Sequence, residues 1–181
     1  MSAIRKAITR MASSALLFGL APWAVADPIV FSFGGQFQAG SEPTTFTIPA
    51  GSWFTPPIAG AAGRLAATVT LTDSNHDGAT LTGQLPTGHS IEAYYDGSNL
   101  FGGVISQVMA PPGGTTVLSE AFPPDGYEPF PYPPILYAVQ TEFTLSAYDS
   151  ATIAGTLTIV PEPGGALWLA LLGAISRRFP R

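Results

Sequence analysis

Cysteine is absent from the 181 residues. Disulfides, thiolate chemistry and cysteine-type zinc sites go with it, so packing, backbone pairing or a bound ion must hold any fold. Positive charge is nearly as scarce, with 7 Lys and Arg against 12 Asp and Glu. Between residues 27 and 160, Arg64 is the sole Lys or Arg against eleven carboxylates. A phosphate backbone is bound by Lys and Arg, so this balance argues against nucleic acid or anionic lipid as a partner of that region, while permitting divalent cations. Helical periodicity and a repeat of fixed period are also missing from the middle of the chain.

What is there is alternation. In "RLAATVTLTD" Leu65, Ala67, Val69 and Leu71 point one way and Ala66, Thr68, Thr70 and Thr72 the other, the period of two of a half-buried strand. The pattern recurs at Phe31 and Phe33, at Phe46 and Ile48, at Leu81 and Leu85, at Ile91, Ala93 and Tyr95, at Phe143 and Leu145, and at Ile153, Leu157 and Ile159. Turn signals such as "NHDG", "PTGH", "YDGSN", "PPGG" and "PPDG" separate these stretches. The expectation is an all-β domain, an antiparallel β-sandwich or jelly roll of about seven to nine strands.

Two stretches break the alternation, residues 51–63 and 121–136. Their proline and glycine predict surface loops, because proline cannot donate to a sheet ladder. Trp53, Phe54, Tyr127, Phe130 and Tyr132 fall within them and are candidate stacking groups for sugar rings or a protein partner; packing over an open end of the sandwich explains the same residues.

"DSNHDGATLTGQ" at 73–84 is the candidate metal loop. Asp73, Asn75 and Asp77 alternate, with Gly78 in sixth place, which reproduces the first half of a calcium loop. The second half departs from it, since Gln84 stands where a bidentate Glu is needed, and a hairpin turn fits the same letters. No catalytic residues are assigned. His76 and His89 lie in turns without a nucleophile elbow, and Glu92, Asp96, Glu120, Asp125 and Glu128 would form an acid and base pair only if the fold joined two of them.

The ends carry the clearest signals. Arg5, Lys6 and Arg10 precede an apolar stretch over residues 11–24, and Ala24-Val25-Ala26 before Asp27 is a small-x-small cleavage site. This order of parts is that of a secretory signal peptide over residues 1–26. At the other end Pro161, Glu162 and Pro163 precede twelve apolar residues, 164–175, and then Arg177, Arg178 and Arg181. As a short helix that run rises about 18 Å, well under the roughly 30 Å of a hydrocarbon core, while the arginines resist crossing.

The combination resembles the PEP-CTERM sorting signal over residues 161–181, joined to an N-terminal export signal. The resemblance implies recognition and removal of the tail by an exosortase, a membrane-embedded processing enzyme of bacteria that make extracellular polysaccharide. It implies transient inner-membrane association of the precursor, then a secreted or cell-surface protein. It assigns roles to Pro161, Glu162, Pro163, Arg177 and Arg178 and to nothing in residues 27–160. For that domain the expectation is a structural role, or binding of glycan or protein, with extracellular polysaccharide as a partner. The alternative is a secreted carbohydrate-active enzyme on the same scaffold.

Overall fold

The computed structural model describes residues 27–161. Among them there are eleven strands and no helix: β1 (Ile29–Gln38), β2 (Thr44–Phe54), β3 (Ala61–Thr72), β4 (Ala79–Gly83), β5 (Ile91–Tyr95), β6 (Asn99–Val104), β7 (Gln107–Ala110), β8 (Thr115–Phe122), β9 (Glu128–Pro129), β10 (Leu136–Leu145) and β11 (Ser150–Pro161). All pairings are antiparallel, as the alternation predicts. The strand count exceeds the expectation because β7 and β9 are only 4 and 2 residues long, too short to show a period. The expected C-terminal apolar helix, the signal peptide and all of the sorting tail beyond Pro161 lie outside the described residues.

One sheet runs β1-β11-β3-β8, with β9 also pairing with β3. The other is built on β10, which pairs with β2 on one flank. On its other flank it takes β5 along Tyr137–Thr141 and β4 along Phe143–Leu145. β6 and β7 complete that side. Each β3 residue from Leu65 to Leu71 with odd number is fully or nearly fully buried and each even one only partly, so the Leu-Val-Leu face is inward and the Ala-Thr face outward.

The two inner faces meet in one core. Leu65, Val69 and Leu71 of β3 and Leu157 and Ile159 of β11 belong to the same cluster as Tyr137, Phe143 and Leu145 of β10. Each such side chain contributes about 1.5–3 kcal/mol when fully buried. Aromatic rings fill the side between β1 and β2: Phe31 stacks on Trp53 at 4.6 Å, and Phe37 meets Phe46 at 5.3 Å and Phe143 at 5.2 Å. Gly83 shows where a side chain is impossible. A Cβ there would lie 2.3 Å from the carbonyl carbon of His89, and backbone cannot step aside as a ring can.

Candidate functional site

The Pro-rich segments divide the aromatic candidates. Gly51–Phe54 forms the end of β2 rather than a loop, because it pairs with Leu136–Val139 beyond a register shift in β10 that accommodates the irregular stretch around Pro49. Alternation then turns Trp53 inward onto Phe31 and leaves Phe54 outside, 79% exposed. Residues 123–135 are mostly loop, yet Phe130 is buried, with its ring 4.9 Å from Phe101, 5.2 Å from Tyr95 and 5.5 Å from Tyr137. Phe130, buried, and Trp53, half-buried against Phe31, thus pack against the core, the second of the two readings their sequence allowed. Tyr127 and Tyr132 remain exposed, and Tyr132 accepts a 3.1 Å hydrogen bond from Asn99 Nδ2. Tyr132, Phe54 and Ile135 belong to the end of the sandwich where β1 begins and β11 finishes, since Ile29 pairs with Ile159 and Pro161 with Ala61.

The acidic turn lies at the opposite end. Asp73, immediately after β3, accepts backbone N–H bonds from Asn75 at 3.1 Å, His76 at 3.0 Å, Gly78 at 3.0 Å and Gly113 at 2.6 Å. Burial pushes its carboxyl up, but those bonds, that of Gly113 foremost, outweigh it and bring the pKa down from 3.8 to about 2. Left-handed backbone at His76 and Gly78 lets successive N–H groups turn toward it. Asp149, in the turn before β11, completes the group: carboxylate oxygens of Asp73, Asp77 and Asp149 lie within 4.8 Å of one another. Asp149 accepts from Ser74 N at 3.2 Å and from the Ser146 hydroxyl. Asn75 Nδ2 donates to Asp77 at 2.9 Å, while Asn75 Oδ1 is enclosed without a hydrogen-bond partner. The fold thus unites two of the three loop candidates with a residue the local motif could not reveal, because Asp149 arrives through the antiparallel register of β3 and β11.

Three other carboxylates serve the backbone or neighbouring hydroxyls. Glu92 is fully buried and accepts from Thr87 N at 3.1 Å and from the Thr87 and Tyr94 hydroxyls. Burial first, and then the hydrogen bond and charge of Glu92, push the Tyr94 phenol up to about 12. Asp96 accepts from Ile135 N at 3.0 Å and Leu136 N at 3.1 Å, tying the 123–135 loop to the β5–β6 turn. Glu120 accepts from Ile105 N at 2.6 Å and holds that buried residue in a left-handed conformation rare for a β-branched side chain.

A concavity of about 970 Å³ runs along the first sheet, with Ala66, Ala154, Ser119 and Thr156 among its lining residues. Arg64 lines it too, and donates from Nη2 to Pro124 O at 3.0 Å.

No family model and no curated protein matches the chain. Solved structures similar to it include that of the infectious bursal disease virus Gx strain, at 16% identity and a TM-score of 0.42, covering 81% of this chain and 37% of that one. A crystal structure of the infectious bursal disease virus VP2 subviral particle gives 15% and 0.34, with the same 81% and 37% coverage. A Bacillus endospore appendage protein, of a family of disulfide-linked pili, gives 11% and 0.31 and covers 79% of this chain and 98% of that one. The chain therefore spans little more than a third of the two viral proteins. This chain has no cysteine with which to form the disulfides named for the pili.

Proposed function

We propose that the chain is an exported protein of the cell surface or exopolysaccharide matrix, sorted and trimmed by an exosortase, whose β-sandwich acts structurally or binds glycan or protein. The combination of N-terminal export signal, Pro161-Glu162-Pro163, apolar run and terminal arginines carries this reading. The commitment of Glu92, Asp96 and Glu120 to structural hydrogen bonds takes three of the five candidate carboxylates from the carbohydrate-active alternative, leaving it the exposed Asp125 and Glu128. Exposed Tyr127 and Tyr132 and the Arg64 concavity supply surfaces for a polysaccharide partner. Glu162→Ala tests the sorting signal, because Glu162 is the only charged residue between Asp149 and Arg177. The variant is expected to accumulate as an uncleaved, membrane-retained precursor in fractionated cells that carry the processing enzyme; normal release would refute the assignment.

We also propose calcium as the ion of the acidic turn, held by Asp73, Asn75, Asp77 and Asp149. Three clustered carboxylates and the unpartnered Asn75 oxygen support it, oxygen donors being what a hard cation takes. Calcium at a hundred times its dissociation constant would add about 2.7 kcal/mol. Thermal melts at neutral pH should then move up by several degrees with calcium and back with chelator, and a midpoint indifferent to both would remove the ion. The same melts carry an acid limb. Asp73 has its pKa lowered on folding, so its contribution is complete above the unfolded value of 3.8 and is lost as pH falls toward about 2.

A further inference from the structure

We propose that the edge of β1, unpaired among the described residues, is a self-association surface on which a second copy of this chain pairs strand to strand. A sheet edge presents a row of unpaired N–H and C=O groups, and natural domains blunt such edges with charge, proline, brevity or bulges. Three of the four edges here are blunted. β8 carries Glu120 and is bracketed by Pro111-Pro112 and Pro123-Pro124. β2 contains Pro49 and pairs with β10 through a register shift. On the far flank of the second sheet, β6 and β7 are 6 and 4 residues long. β1 is different: "IVFSFGGQFQ" is 10 residues with no charge and no proline, paired to β11 along its whole length without a shift.

Its burial shows what a partner would gain. The inward residues of the central strand β3 are buried, whereas β1 alternates only between half-buried and exposed. Phe31, Phe33 and Phe37 point into the core but keep part of their rings in water, because among the described residues nothing lies beyond the edge to cover them. A strand added there would extend the sheet and cover the rings, at about 25 cal/mol per Å² of apolar surface.

The occupant follows from the same comparison. A head-to-tail contact would need one of the blunted edges, so the unblunted edge pairs with itself about a twofold axis. Antiparallel pairing that keeps inner faces together and uses nearly the full strand centres on Gly34. It sets Phe31 opposite Phe37 of the other copy on the inner face, and Ser32 opposite Gln36 and Val30 opposite Gln38 on the outer. No ion pair is involved, and two domains each with ten more carboxylates than arginines repel one another. Added salt should therefore strengthen the dimer.

Sedimentation of the full chain in mild detergent tests this, with Ser32→Lys as the edge variant and Thr152→Lys as a charge-matched control one strand inward. Both positions are exposed on the outer face. The expected result is a dimer whose dissociation constant rises at least about tenfold in Ser32→Lys, stays put in Thr152→Lys and falls as salt is added. Gln36→Lys repeats the edge test should Ser32→Lys fold poorly. A monomeric wild type, or edge variants that associate as the wild type does, would overturn the proposal. The sorting reading is judged separately by tail processing.

Discussion

Phe143→Ala should destabilise the domain by about 3–5 kcal/mol, the range for a large aromatic lost from a closed core. Phe143 is fully buried near the C-terminal end of β10, between strands on both flanks, and its ring lies 5.2 Å from Phe37 and 5.5 Å from Phe46. The cavity cannot close by a strand shift, because β10 is held by β2 on one side and by β4 and β5 on the other. At roughly 2–4 °C per kcal/mol for a domain of this size, the melting midpoint should fall by on the order of 10 °C. A loss under about 1 kcal/mol in denaturant titration would mean that β10 is not the central strand of its sheet.

Glu92→Ala is the second large effect, and it acts through polarity rather than volume. The carboxylate sits beneath the 84–90 turn and joins Thr87 to Tyr94. Its removal leaves two hydroxyls and a backbone N–H without this acceptor, each costing about 1–3 kcal/mol where water cannot replace it. We expect a total loss of about 2–4 kcal/mol, less than the sum because Thr87 is exposed and Tyr94 partly so, and water can reach their hydroxyls. A spectroscopic signature separates this from simple loss of packing. Without Glu92 the Tyr94 phenol should titrate below about 12, part of the way back to 10, since burial still acts on it. An unchanged tyrosine titration with the same loss of stability would reduce Glu92 to a space-filler.

The architecture was legible where local chemistry and tertiary demand agree. β3 and β11 have cores on one face and Thr or Ala on the other, so their alternation gave away both strand and facing. Proline misled at residues 51–54, where the irregular stretch passes into the β2–β10 pairing and Trp53 turns inward. Phe130 sits among six prolines from residue 123 to 134, which mark a surface loop without showing whether its ring is exposed or packed. It is buried because β9 pairs with the start of β3 and draws the loop over the sandwich end, its ring covering Gly63, where a Cβ would come within 2.8 Å. Asp149 and the role of Glu92 had no local signal, since both depend on partners supplied by the folded turns. β1 was legible as a strand, but its place at an edge, and with it the half-covered phenylalanines, belongs to the topology alone.

The sandwich explains how the domain holds together without disulfides, while its destination rests on the ends. Intact-mass analysis of the protein recovered from the outer fraction of a host carrying the processing enzyme tests that most directly. The account predicts a species that begins at or near Asp27 and ends close to Pro161-Glu162-Pro163, lacking the arginines at 177, 178 and 181. A mature product still carrying "SRRFPR" would contradict it and leave the tail a plain membrane anchor.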